Sequence, residues 1–347
     1  MIILAGLIVL LLVFPLASVV RAQTVELFCT GPFMHVAIPI NDLGTRLYVR
    51  MDGQQTGAQG GLYPGGSNQR PPAHQAAGIQ MAAQVLPRNA QGAPDPLNGD
   101  IGMISIGMSN AAQEFGEFIS LAEADPRLNP RLKIVNGASA GQTANIWADP
   151  ASFAWENLAA RLAHAGLTPA QVQVVWIKNV HTGSGDFPAK PLALVADLTS
   201  IVRILKSRYP NVVLAYFSSR TRSYTYWQGL SPEPAAYESG FAVKWLIENQ
   251  IQGAADLNYD PARGAVFAPW LSWSAYLWAD GANARSDGLT WVPQDMAPDC
   301  THPSSNGELK VANLLLNFFS SDTTTRWFSG GVVIQIHQIF LPLVRDQ

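Results

Sequence analysis

The stretch DIGMISIGMSN, residues 100–110, decides the fold. Its first part, IGMISIG, is an apolar run of strand length that ends on a glycine. A strand with one face in water alternates apolar and polar residues; a run without that alternation belongs to a strand covered on both faces. Three further runs have the same texture: LKIVNG at 132–137, VQVVWIK at 172–178 and VVLAYF at 212–217. Helical stretches separate and follow them, at about Ala111 to Ala124, Pro150 to Ala165, Leu192 to Arg208 and Ala235 to Ile251. Strand–helix alternation of this kind predicts an α/β fold, a doubly wound and mostly parallel sheet with helices on both faces.

In such a sheet the functional crevice opens at the carboxyl ends of the strands. The residues just beyond each run therefore carry the most information. After the first run come Gly107, Met108, Ser109 and Asn110; after the second, Asn136 to Gly141; after the third, Lys178 and Asn179. The last helix is preceded by PDCTHPSSNGELKVANLLLNFF, Pro298 to Phe319, with Asp299 and His302 three residues apart. That spacing lets a carboxylate reach back to an imidazole. The plainer reading is a helix start with Ser304 or Ser305 as N-cap and Glu308 as its capping-box partner.

The 347 residues are 48% hydrophobic and 14% charged, with a net charge of −3. The 22 Lys and Arg residues are scattered, which speaks against a nucleic-acid surface. Neither a metal-ligand cluster nor a phosphate loop is visible, so no cofactor is expected. The run from Ile2 to Val19 followed by Val20-Arg21-Ala22 has the form of an export signal cleaved after Ala22, and the mature chain then needs no membrane span. An uncleaved N-terminal anchor facing outward is the other reading. Cys29 and Cys300 are the only cysteines. In an oxidising compartment they can pair; otherwise they are two free thiols. The chain divides into the signal (1–22), N-terminal strands with a long polar loop (23–99), the α/β unit (100–328) and an apolar extension (329–347). Within the second segment, AHQAAGIQMAAQVL predicts a helix after Pro71 and Pro72.

The order of these blocks resembles the SGNH hydrolases, the superfamily of the Gly-Asp-Ser-Leu esterases. SIGMSN matches the block that carries the nucleophile after the first strand, VNGASAGQT the glycine block, VVWIKN the asparagine block, and DCTHP the Asp-x-x-His-Pro block before the final helix. GMSN is close to the Gly-x-Ser-Asn form of the superfamily's carbohydrate esterases, whereas IKNVHTG shares only its asparagine with the usual third block. The resemblance implies a three-layer α/β/α fold and a serine mechanism. Ser109 would be the nucleophile, His302 its base and Asp299 the group that orients His302. The oxyanion hole would be the Ser109 N–H, the Gly141 N–H and the Asn179 side-chain amide.

Each residue also has a structural reading: Ser109 as a helix cap, Gly141 as a turn glycine, Asn179 as a loop cap, His302 as a buried histidine. Trp270, Trp273, Trp278 and Trp291 either wall a sugar or acyl pocket or belong to the core; the near-helical spacing of the first three favours the core. The expectation is an exported serine esterase acting on an acetyl or short acyl ester of a small molecule or carbohydrate. The alternative is a non-catalytic carbohydrate-binding relative.

Overall fold

The computed structural model describes Cys29 and residues 34–330. The signal segment and the apolar run from Val332 to Val344 lie outside the described residues. The elements run α1 (Ile40–Leu43), β1 (Leu47–Val49), β2 (Gln55–Gln59), α2 (Pro72–Ala82), β3 (Ile101–Gly107), α3 (Ser109–Ala124), β4 (Leu132–Val135), α4 (Ala144–Trp147), α5 (Phe153–His164), β5 (Val172–Lys178), α6 (Ala189–Arg208), β6 (Leu214–Phe217), α7 (Ala235–Ile251), β7 (Trp270–Trp273) and α8 (Ser305–Ser321). β1 and β2 form a small antiparallel pair; the other five strands form one parallel sheet in the order β4-β3-β5-β6-β7.

The fold is thus α/β, doubly wound and three-layered. Every residue of β3 and β5 is buried. Successive side chains point to opposite faces, so each strand feeds two cores. Ile104 and Ile106 meet Leu158, Leu198, Phe241 and Leu246 on one side. Met103, Val174 and Trp176 meet Phe115, Phe118, Val311, Leu315 and Phe319 on the other. Each such fully buried side chain contributes about 1.5–3 kcal/mol. Phe118 of α3 packs on Phe319 of α8 with ring centroids 5.4 Å apart, which brings those two helices side by side.

The chain leaves β3 toward β4 and then returns to build β5, β6 and β7 on the other edge. The strand order therefore reverses at β3, which is where a doubly wound sheet opens its crevice. Gly107 pairs with Lys178 across β3 and β5, so the residues after these two strands emerge next to each other.

The fifth strand is absent from the sequence reading. WLSW is only four residues long, and tryptophans three apart imitate a helix; the structure makes it β7, with all four residues buried. Trp270, Trp273, Trp278 and Trp291 are each at most 2% exposed, so they are core and wall no pocket. Trp270 stacks on His74 of α2 with centroids 4.8 Å apart. Helix α2 runs close over that ring, and a Cβ on Gly78 would sit 2.3 Å from its Cζ2. The N-terminal segment enters the same cores: Ile40, Tyr48 and Tyr63 join one, Ala82 and Val85 the other. At the far end Ser329 bridges to Leu128, and the Gly330 N–H donates to Arg127 O.

Candidate active site

Helix α3 begins on Ser109 immediately after β3. Its N-cap, Met108, has extended backbone (φ −91, ψ −168) and no side-chain cap. Ser109 is therefore the first helical residue, with its hydroxyl directed elsewhere. The first N–H groups of a helix have no intrahelical acceptor and carry partial positive charge. Leaving them uncapped suits an incoming anion.

The Ser109 hydroxyl lies 2.6 Å from His302 Nε2. The other ring nitrogen, Nδ1, is hydrogen-bonded to Asp299 Oδ2. Asp299 Oδ1 accepts the backbone N–H of His302 (2.9 Å) and of Thr301 (3.1 Å). Burial alone would raise the Asp299 pKa. The His302 backbone N–H, the His302 ring and the Thr301 N–H outweigh it and hold the carboxyl below its ordinary value. The His302 side chain is 24% exposed and that of Asp299 40%, so the pair faces solvent from the rim of the crevice.

The loop that carries the pair is fastened at both ends. Ser304 is the N-cap of α8 and accepts the Gly307 N–H at 3.4 Å. A Cβ on Gly307 would lie 2.1 Å from Asp295 O, so no larger residue fits there. With Gly307 in the third helical position, the expected capping-box role of Glu308 does not arise. Upstream, Cys300 is joined to Cys29, with Cα atoms 5.3 Å apart. Cys300 has φ +63, the only described non-glycine residue in the left-handed region. Its carbonyl accepts the Tyr224 N–H at 2.8 Å.

The loop after β4 is drawn over the same end of the sheet. Ser139 N–H donates to Gly107 O at 3.1 Å, and Ala144 N–H to Val180 O at 3.1 Å. Gly141 lies between them with φ +74, and nothing stands within 4 Å of where its Cβ would be. Its conformation needs a glycine, and the space above it is open. Asn179 is 4% exposed; its Oδ1 accepts Val180 N–H (2.9 Å) and its Nδ2 donates to Gln142 O (3.2 Å). One amide N–H is thus spent on the glycine loop, and a primary amide has two. The structure joins Ser109, His302 and Asp299 directly and brings Asn179 against the Gly141 loop.

Asn110 and Lys178 stood at strand ends in the sequence reading without a role of their own, and Arg220 was not singled out. Asn110, 2% exposed, donates through Nδ2 to Thr301 O at 2.7 Å. Arg220, 3% exposed, reaches Asn110 Oδ1 (2.8 Å) and Thr301 Oγ1 (3.0 Å). The carboxyl-end rule, applied to the fourth run as well as the first three, points to Arg220 in SSRTR. Below them, Lys178 at the end of β5 pairs with Glu114 of α3, both almost fully buried. Burial pushes the Lys178 pKa down to about 8, with Glu114 opposing and Arg220 assisting. Among the described residues, no group of three or more His, Cys, Asp or Glu is arranged to hold a metal ion. No helix among them is long and apolar enough to cross a membrane.

No protein-family model matches the chain, and no curated protein matches it. Among solved structures it is similar to the periplasmic domain of a lipopolysaccharide acetyltransferase from Salmonella ser. Paratyphi A, at 14% identity over 65% of this chain and 85% of that one, with a TM-score of 0.38. It is also similar to a carbohydrate esterase family 3 protein from Talaromyces cellulolyticus, at 12% identity over 62% and 94% of the two chains, TM-score 0.33. A third is the C-terminal catalytic domain of peptidoglycan O-acetyltransferase A from Streptococcus pneumoniae, at 14% identity over 64% and 93%, TM-score 0.32.

Proposed function

We propose that this chain is an exported serine esterase of the SGNH kind. The observation that carries the reading is the 2.6 Å contact between Ser109 Oγ and His302 Nε2, with Asp299 on the other ring nitrogen. A serine hydroxyl becomes a competent nucleophile when a base takes its proton as it attacks. In this reading His302 takes that proton, and Asp299 fixes the tautomer and stabilises the imidazolium. Ser109 Oγ bonds to the ester carbonyl carbon. The carbonyl oxygen becomes an oxyanion held by the N–H groups of Ser109 and Gly141 and the Asn179 amide. Collapse expels the alcohol, which His302 protonates. Water, deprotonated by His302, then attacks the acyl-serine carbonyl carbon. The bond from that carbon to Ser109 Oγ breaks, His302 returns the proton to Oγ, and the acid is released. Each hole donor is worth about 100- to 1000-fold in turnover.

The Cys29–Cys300 bond fits an oxidising compartment, secreted or periplasmic. A carbohydrate ester as substrate draws support from an aromatic pair that the sequence reading passed over. Tyr226 is 74% exposed and Trp227 67% exposed, in the loop after β6. Tyr226 lies two residues beyond Tyr224, which is bonded to the Cys300 carbonyl, and Cys300 lies two residues before His302. Two residues span about 7 Å, so the Tyr226 backbone stands within roughly 20 Å of the His302 backbone. Exposed aromatic faces of this kind stack on sugar rings.

The test is turnover of p-nitrophenyl acetate by wild type and Ser109→Ala. Ser109→Ala is expected to keep the wild-type circular dichroism spectrum and lose activity. A folded Ser109→Ala protein with wild-type turnover would overturn the reading. Wild type without turnover of this or other acyl esters would favour the non-catalytic carbohydrate-binding alternative.

A further inference from the structure

Arg220 is a buried cation with an unusual set of partners. It is 3% exposed, and its Nε has no hydrogen-bond partner among the described residues. Its close contacts are neutral: the Asn110 amide oxygen through Nη1 and the Thr301 hydroxyl through Nη2. Glu114, Glu233 and Asp299 favour its charge from farther away, against a dominant burial penalty. A buried charge without an ion-pair partner costs several kcal/mol, and a neutral side chain of similar size would cost less. Such an exception to the rules of packing is expected where function requires it.

Its two neutral partners flank the reactive pair. Asn110 follows Ser109, and Thr301 precedes His302. Asn110 and Thr301 are themselves joined, Nδ2 to O, at 2.7 Å. Three hydrogen bonds thus close a ring through Arg220, Asn110 and Thr301, and Ser223 Oγ adds a fourth contact to the Thr301 hydroxyl at 3.2 Å. Ser109 and His302 come from elements 193 positions apart. The single Ser–His hydrogen bond is worth only about 1 kcal/mol net, too little to hold two elements in register. A misplacement of 1 Å at a reacting pair costs on the order of 100-fold in rate.

We propose that Arg220, Asn110 and Thr301 form a positioning clamp that sets the distance between Ser109 and His302, with Arg220 as its central strut. The clamp rests on the esterase reading above. Arginine suits the part because its planar fork points two donors in fixed directions, which a lysine ammonium does not. The three residues touch neither substrate nor reacting atoms; they act through Ser109 and His302.

The test measures kcat and KM on p-nitrophenyl acetate, and the rate of inactivation by phenylmethylsulfonyl fluoride, for Asn110→Asp, Thr301→Val, Thr301→Ser and Arg220→Lys. Asn110→Asp keeps an acceptor for Arg220 but loses the donor to the Thr301 carbonyl. Thr301→Val removes the hydroxyl at constant shape, and Thr301→Ser restores it. The clamp predicts a kcat about 10- to 100-fold lower in Asn110→Asp, Arg220→Lys and Thr301→Val, with KM within about twofold and inactivation slowed in parallel. Thr301→Ser should stay within about threefold of wild type. If Asn110→Asp or Arg220→Lys fails to fold, the contrast between Thr301→Val and Thr301→Ser decides. Folded variants with lower thermal midpoints but wild-type kcat and inactivation rates would make the network purely structural and overturn the clamp. In that case Ser109 would stand as nucleophile. Wild-type turnover in Ser109→Ala would instead overturn the esterase reading, and the clamp with it.

Discussion

Replacing both Cys29 and Cys300 by serine tests how the Asp299–His302 loop is held. The disulfide closes a loop across 271 positions. In the chain-entropy treatment such a loop restricts the unfolded chain by about 19 cal/mol/K, or roughly 5.5 kcal/mol at 25 °C. The left-handed backbone of Cys300 offsets about 1 kcal/mol of this, because a non-glycine residue is strained there. The expected loss is therefore ~4 kcal/mol of global stability. With a urea slope of about 2–3 kcal/mol/M, the unfolding midpoint should fall by about 1.5–2 M. A second effect is local. Cys300 stands two residues before His302, and without its anchor the left-handed residue can relax. Turnover of p-nitrophenyl acetate should then fall several-fold well below the unfolding transition. The double mutant is followed by tryptophan fluorescence in urea and by initial rates in parallel. A midpoint within 0.3 M of wild type, together with unchanged kcat, would refute both the entropic argument and the anchoring argument (0.3 M being about 1 kcal/mol or less on the same slope).

Three further outcomes are expected. Asp299 is held below its ordinary pKa, so its ionised form contributes stability that is complete above about pH 4 and is lost as pH falls through the folded value. Asp299→Asn should cut turnover by roughly 1000-fold or more, and its stability gap to wild type should narrow below pH 4; a constant gap down to pH 2.5 would contradict the assignment. Gly78→Ala drives a Cβ into Trp270 and should cost about 1–3 kcal/mol in urea unfolding despite alanine's better helix propensity; a more stable variant would mean that α2 shifts freely. Trp227→Ala should raise KM on an acetylated polysaccharide by about 3- to 10-fold, the worth of one aromatic contact, and leave p-nitrophenyl acetate kinetics alone; equal KM values would remove the aromatic pair from the site.

What the sequence made legible was local. The turn from IGMISIG into Ser109 and the Asp299–His302 spacing are written in contiguous residues, and the structure brings these three side chains together. The parallel sheet was legible because β3 and β5 are buried on both faces and so carry no alternation. β7 was not, since four residues with tryptophan at each end fit a helical spacing as well as a strand. Helix α6 begins three residues earlier than its apolar pattern, at Ala189, because its first three residues, Ala189 to Pro191, bury only Pro191 and so show no period. The contacts of Asn110 and Arg220 were hidden for another reason. They span 191 and 110 positions, and no periodicity records them. The four tryptophans lie in the core, the reading that their spacing favoured; the exposed aromatic pair, Tyr226 and Trp227, went unnoticed because aromatic content says nothing about direction.

The 193 positions between Ser109 and His302 also set an order in time. A chain is made from its N-terminus, at about 5–20 residues per second. Ser109 therefore exists for roughly ten to forty seconds before His302 is synthesised. Even then, His302 reaches Ser109 only after α8 has docked on α3, since the Asp299–His302 loop leads directly into α8. On the esterase reading, activity is therefore the last property to appear. On that reading, until α8 closes the second core the nascent chain is inert toward esters, and a truncated product lacking α8 remains so.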